Sequence, residues 1–390
     1  MINSSKYSKK DHLLNIVLVL FFILPQNMVL YLFVPVAMLL MYDWRKQTVQ
    51  RMGTVIIAIV VSLSLSLLIN LATPWLTVKS FLSFIKLILL FACFGRLKSV
   101  NIIKGYLIFT LVYLAIFQFA YQLSIPGIDS LMSTIYPIDE ETMEQYAFRE
   151  SMTFSDIGGY NSRLGGIYYN SNICAFFFEA LLILFVNEKK QFKRTTYIAS
   201  LVLIIACIIS AGSRTSFLVL IGIALFSFSD SGVSAKISAI ILSIIFFLFF
   251  FYFGAEFRLF QVDDGLNDSF GQKLSLLTNY LDNQPSALRL LWGSFTTACL
   301  PFMFGSGAFP GTDFDMGDFI VSYGFVTFIL LLIFLWIGWS TLNKNYKSTL
   351  VILIWCFSNT VFMSYRASAV FMFILSIYCY KSLLERKVIK

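Results

Sequence analysis

Six arginines, Arg149, Arg163, Arg214, Arg258, Arg289 and Arg366, stand apart from the lysine-rich breaks of this sequence. A guanidinium is planar, always charged, and donates through a fork that matches phosphate, so it grips an anion bidentately and tolerates partial burial better than an ammonium. The chemistry that such residues could do together is the holding of a diphosphate. Arg163 lies in Asn161-Ser162-Arg163-Leu164-Gly165-Gly166-Ile167-Tyr168-Tyr169-Asn170-Ser171-Asn172. Its glycines let the backbone approach a ligand, and Asn170 and Asn172 open the apolar run that follows, where a helix N-terminus would itself favour an anion. Arg214 lies in Ser210-Ala211-Gly212-Ser213-Arg214-Thr215-Ser216, a short polar turn between two apolar runs. The plain alternative for both is an interfacial anchor, which has no need of small or amide-bearing neighbours. Arg366, in Ser364-Tyr365-Arg366-Ala367-Ser368, fits either role. Arg289, beside Trp292, and Arg258 could reach the same cleft or be solvated or acid-paired.

Carboxylates supply a second set of candidates. Asp313, Asp315 and Asp318 cluster ahead of an apolar run and could serve as a helix N-cap, as loop charges, or as the base for a sugar hydroxyl, with Asp318 the choice for the last. Glu179 falls inside an apolar run, where a charge is expensive and a functional role is the default, beside the alternative of a protonated structural residue. His12, the one histidine, sits among lysines at the start of the chain, so histidine chemistry on the far side of a membrane is not expected. The six cysteines have no paired spacing for zinc or a disulfide framework and read as packing residues. No metal or cofactor is expected.

The elements that must position these residues are apolar. The chain has 390 residues, 58% hydrophobic and 13% charged, with a mean hydropathy of +0.80; a soluble domain could not keep that in water. The apolar runs are continuous rather than alternating, which excludes a β-barrel. They predict an all-α, polytopic membrane helix bundle of about 12 spans, near 13–24, 28–42, 53–72, 78–95, 102–123, 167–187, 196–211, 215–229, 237–254, 318–339, 348–364 and 367–380. Lys6, Lys9 and Lys10 precede the first run as in a signal peptide, but no small-residue cleavage site follows, so it reads as a retained span.

Charge sets the orientation. With both termini in the cytoplasm, 20 of the 29 Lys and Arg fall in cytoplasmic segments, whereas 15 of the 21 acids fall in two outer loops or, for Asp318, at the edge of the second. The whole of 1–390 reads as one membrane domain, with a first outer loop at 125–166 and a second, larger one at 255–317. Ser269 to Tyr280 and Ser286 to Cys299 have the periodicity of amphipathic helices on the membrane surface. Long loops in compact proteins are usually functional, so the chemistry is expected to face outward.

The pattern resembles the bacterial O-antigen polymerase (Wzy-type) family, within the group that includes O-antigen ligases. The resemblance rests on the stretch from Arg163 to Asn172, on Ser210 to Arg214, and on Gly305-Ser306-Gly307 through Asp318 to Tyr323-Gly324-Phe325. It implies a bacterial inner-membrane glycosyltransferase that joins undecaprenyl diphosphate-linked oligosaccharide repeat units, donor and acceptor, on the periplasmic face. Partners implied are membrane lipid, a chain-length regulator and a flippase; nucleic acid is not. On that reading Arg163, Arg214 and Arg289 stabilise the leaving diphosphate, Asp318 assists the acceptor hydroxyl, and Asn170, Asn172, Arg258, Arg366 and Tyr323 contact substrate. No metal takes part. Ligases of the group carry a histidine ahead of the span after the large loop; here that place holds Asp315-Met316-Gly317-Asp318, which disfavours the ligase. A lipid-linked oligosaccharide flippase or other transporter suits the span count, but its deep charges should be more numerous than Glu179 and Lys86, and its outer loops shorter.

Overall fold

A computed structural model describes residues 7–24, 50–71, 101–122, 127, 131, 134–136, 166–168, 171–227, 277–278, 281, 287–293, 315–357 and 365–388. Every regular element among them is helical. In chain order these are α1 (Lys9–Ile23), α2 (Gln50–Asn70), α3 (Lys104–Gln122), α4 (Ser171–Asn187), α5 (Arg194–Ala211), α6 (Arg214–Ser227), α7 (Ala287–Trp292), α8 (Asp315–Thr341) and α9 (Tyr365–Val388), with 3-10 helices at Gly166–Tyr168, Lys189–Gln191 and Lys344–Phe357. The expected spans at 28–42, 78–95 and 237–254 lie outside the described residues, and so does most of both outer loops. Each of the other expected spans falls on a helix. The run expected at 348–364 starts earlier, and its 14 described residues wind as a 3-10 helix, which at roughly 2 Å per residue rises about 28 Å.

Among the described residues, four helices are long and apolar enough to cross a membrane, over Gly53–Asn70, Arg194–Ala211, Met316–Thr341 and Arg366–Arg386. The protein is therefore a helical membrane protein, and its exposed side chains agree. On α2, Ile57, Val61, Leu65 and Leu68 form a stripe, each between 38% and 63% exposed, while Ile56, Ile59 and Leu63 on the other side are buried. The same holds on α8, where Ile329, Leu332, Ile333 and Trp336 are exposed. Long apolar stripes of this kind would be a liability in water and are ordinary against hydrocarbon.

Packing divides the chain into two compact units, the first comprising Met1–Phe22, Gln26–Tyr106 and Ser269–Lys390, the second Ile23–Pro25 and Leu107–Asp268. Each is organised around a helix buried on all sides, as an element apolar around its whole circumference must be. In the first unit that helix is α9, buried from Ala367 through Cys379. In the second it is α4, buried from Cys174 through Phe185, with Glu179 fully inside. α5 and α6 pack on α4. They are joined by a two-residue turn in which Gly212 takes the left-handed conformation (φ 61°) and its N–H closes on the Ile209 carbonyl, the usual way to stop a helix tightly. Cys174, Cys207, Cys356 and Cys379 are buried thiols, in keeping with a packing role.

Polar side chains tie the helix ends together within each unit. In the first, Asp11 opens α1 ahead of the apolar run. Its carboxylate accepts from the Ser8 N–H (3.0 Å), the Ser8 hydroxyl (2.8 Å) and the Asn101 N–H (2.9 Å), while Asn15 donates to the Asn101 carbonyl (2.8 Å) and accepts from the Ile103 N–H (2.9 Å). At the other ends of α8 and α9, Asn343 receives Arg386 (2.9 Å) and donates to Glu385 (2.6 Å), which also accepts from Tyr346 (2.7 Å). In the second unit, Gln118 donates to the Cys207 carbonyl (3.0 Å) and the Ser210 hydroxyl (2.7 Å) and accepts from the Cys174 thiol (3.1 Å).

Burial by itself would push the Asp11 carboxyl up, but the hydrogen bonds from Asn101 and Ser8 outweigh it and hold the group below its ordinary value of 3.8. A carboxyl lowered by folding contributes stability that is complete above its unfolded pKa and lost as pH falls through the folded value. Asp11→Asn is therefore expected to destabilise the protein by on the order of 1 kcal/mol at pH 7. The gap should close below about pH 4. Melting curves of both proteins in lipid nanodiscs between pH 7 and pH 3 check this, and a gap that stays constant with pH would refute it.

Candidate functional site

The first unit contains the candidates Arg289, Asp318, Tyr323 and Arg366. α8 is not continuous. Gly324 interrupts it with φ 81° and ψ 169°, so a nine-residue segment from Asp315 to Tyr323 is set off from the long apolar stretch that follows. α7 docks at this break. Gly293, which ends α7 with φ 81°, lies against the backbone of Ser322 and Tyr323, and Gly324 lies against the backbone of Leu291 and Gly293. Neither position has room for a Cβ, so the approach of the two chains depends on both glycines. Three side chains of α2 complete the junction: Ser62 bonds the Thr327 hydroxyl (2.8 Å), Ser66 donates to the Trp292 carbonyl, and Asn70 donates to the Gly293 carbonyl (3.0 Å).

This packing corrects two expectations about the second outer loop and its exit. The amphipathic helix expected over Ser286 to Cys299 stops at Trp292, because Gly293 must turn left-handed to meet α8. The helix of the span expected at 318–339 begins at Asp315, so Asp318 is not an N-cap; it lies within the first turn of α8. A carboxylate there is favoured by the helix dipole. Asp318 is buried, at 6% exposure, and Tyr323 is buried one turn on, its ring 5.0 Å from that of Phe319.

Arg289 is exposed on α7, between the exposed side chains of Leu288 and Leu291. Its carbonyl accepts the Gly293 N–H (2.7 Å), so the arginine and the glycine anchor belong to one helical turn. Arg366 behaves differently. At 3% exposure, it donates through Nε to the Phe21 carbonyl (2.7 Å) and through Nη2 to the Phe22 carbonyl. These are carbonyls of the last turn of α1, which have no partner within the helix. A guanidinium there caps the helix and meets the negative end of its dipole. That is a structural use of Arg366, which the sequence leaves open between an interfacial anchor and a substrate contact.

The second unit contains Arg214 and Asn172. Arg214 is the first residue of α6, and behind it Ser213, Thr215 and Ser216 are buried, the Ser216 N–H bonding the Ser213 carbonyl (3.2 Å). α1, α3 and α5 also begin with cations, Lys9, Lys104 and Arg194, so a cation at a helix start does not by itself single out Arg214. Asn172 stands in the first turn of α4 and is half-buried. Just before it, the 3-10 turn at Gly166–Tyr168 begins with Gly166 (φ 52°), which lies beside Gln118 and Cys174. Arg163, Asn170 and Arg258 lie outside the described residues. Arg214 and Arg289 thus belong to separate units.

The polar face of α2 was missed in reading the sequence for charge. Its signal is Ser62, Ser66 and Asn70 at four-residue intervals in an apolar run, a spacing that aligns them on one side of a helix. Among the described residues, no three His, Cys, Asp or Glu side chains come together as a metal site would require. Compared with protein-family models, with curated proteins and with solved structures, the chain matches none.

Proposed function

We propose that this protein is a glycosyltransferase of the bacterial inner membrane that polymerises undecaprenyl diphosphate-linked oligosaccharide repeat units on the periplasmic face, with about 12 spans and both termini in the cytoplasm. The observation that carries the reading is the sign distribution: outward arginines stand against a pattern that puts 20 of 29 basic residues inside and 15 of 21 acids in two outer loops or at the edge of the second.

The helix-end contacts support that orientation. Asp11 and Asn15 meet Asn101 and Ile103, and Asn343 meets Glu385 and Arg386, all in segments assigned to the cytoplasm. Arg366 meets Phe21 and Phe22, Tyr136 donates to Ile23, Gln118 meets Ser210, and Asn70 meets Gly293, all in segments assigned outside. Among the described spans, these contacts join segments assigned to the same side and support their orientation relative to one another within each unit.

In the reaction, the acceptor sugar hydroxyl forms a bond to the anomeric carbon of the donor chain, the bond from that carbon to the diphosphate breaks, and undecaprenyl diphosphate leaves with the electron pair. The hydroxyl proton passes to a base, for which Asp318 is the candidate. The arginines hold the charge that develops on the diphosphate, a preorganised electrostatic role that commonly supplies the largest part of catalysis. Arg214 has the further advantage of opening α6, where the helix dipole adds to its own charge.

Deletion of the gene, followed by electrophoresis of surface polysaccharide, tests the proposal. A polymerase leaves lipid cores capped by a single repeat unit. Complete absence of repeat units indicates a flippase or ligase instead, and an unchanged ladder removes the polysaccharide reading altogether.

A further inference from the structure

The short helix α7 presents a problem of placement. It has six residues, too few to be stable alone, and its Leu288 and Leu291 side chains are exposed while Leu290 and Trp292 are only half-buried. Besides the close backbone approach to α8 at Gly293 and Gly324, the polar face of α2 holds it. Ser62, Ser66 and Asn70 are all buried, and each acts on backbone that α7 or α8 leaves open. Ser62 bonds Thr327, whose hydroxyl donates to the Tyr323 carbonyl (2.8 Å) beside the break in α8. Ser66 takes the Trp292 carbonyl at the end of α7, and Asn70 bridges the Ser66 carbonyl (2.9 Å) and the Gly293 carbonyl (3.0 Å).

We propose that Asn70 is a positioning residue: by holding the Gly293 carbonyl it fixes α7 in the break of α8 and so sets where Arg289 presents its guanidinium. The role for Arg289 rests on the proposed function; the anchoring of α7 does not. The chain of contact is short. Asn70 bonds Gly293, and the Gly293 N–H bonds the Arg289 carbonyl (2.7 Å). Removing the Asn70 donor would leave the buried Gly293 carbonyl without that bond, a penalty large enough to lower the occupancy of a docked six-residue helix about tenfold.

Asn70→Leu keeps the size of the side chain and removes both donors. In the full-length protein in lipid nanodiscs, amide hydrogen exchange of the peptide covering 287–293 is expected to rise about tenfold, with exchange in α9 unchanged and near-normal values restored in Asn70→Gln. In cells, polymer formation should fall about tenfold in Asn70→Leu and fall no further when that change is added to Arg289→Ala, since residues acting through one group are not additive. Unchanged exchange over 287–293 overturns the anchoring, whatever the protein does. Raised exchange together with an equal additional loss of polymer in the Arg289→Ala background overturns positioning through Arg289. Wild-type polymer from Arg289→Ala alone removes Arg289 from the proposed reaction and with it this role of Asn70, while the exchange result still decides the anchoring.

Discussion

Gly324→Ala is expected to prevent α2, α7 and α8 from packing, and to do so more severely than any change of a charged residue. The φ of 81° at Gly324 is one that an alanine adopts only at a cost of about 1–3 kcal/mol. Its methyl group would also overlap the Leu291 carbonyl. That overlap is with backbone, so no side-chain rotation relieves it. Because Gly293 faces Ser322 in the same way, moving either strand of the contact disturbs the other, and the combined penalty should exceed about 4 kcal/mol. The measurement is the yield and melting temperature of detergent-solubilised protein. Gly53→Ala is the control: it lies in α2, where an added Cβ meets nothing within 4 Å, and it should be neutral or stabilising by up to about 1 kcal/mol. Equal yields and melting points for Gly324→Ala and wild type would mean that α8 is not broken where described.

Arg214→Ala should lower polymer formation by about a hundredfold or more at normal protein level, the usual consequence of removing one group that stabilises charge in a transition state. The informative comparison is Arg214→Lys. An interfacial anchor needs only a long cation, and lysine would replace it fully. A group that grips a diphosphate through two parallel N–H bonds is not replaced by a single ammonium, so the lysine variant should stay well below wild type. Electrophoresis of surface polysaccharide from cells carrying each variant gives the ratio of polymer to single-repeat caps. Wild-type ladders from both variants would remove Arg214 from the mechanism.

The two experiments separate architecture from chemistry. Gly324 lies at the docking point of α7, and its replacement should disturb folding whatever the activity. Arg214 opens a helix, and its buried neighbours Ser213, Thr215 and Ser216 are untouched by its loss, so its effect should appear in the product and not in the melting curve.

Much of the helical framework was readable from the residues. Continuous apolar runs gave α2, α5, α8 and α9, because a helix in hydrocarbon must satisfy its backbone internally and needs only length and apolarity to do so. The Ser210 to Ser216 turn was also visible, since small and polar residues between two such runs have few other uses; the structure narrows it to Gly212 and Ser213. The ends of α7 and α8 were not. Periodicity carried the amphipathic helix on to Cys299, and only the contact between Gly293 and the Ser322 backbone explains why it stops at Trp292.

The same limit applies to the candidate site. Composition and spacing by themselves determined that this is a membrane protein built of helices and picked out the arginines that break the charge pattern. Tertiary structure alone decided that Arg366 caps α1, that Asp318 is buried inside the first turn of α8, and that Ser66 and Asn70 hold the end of α7. The physical reason is that all of these except the burial of Asp318 are bonds from a side chain to main-chain carbonyls. Every residue carries such a carbonyl, so nothing in the order of side chains marks which one a distant arginine or asparagine will find.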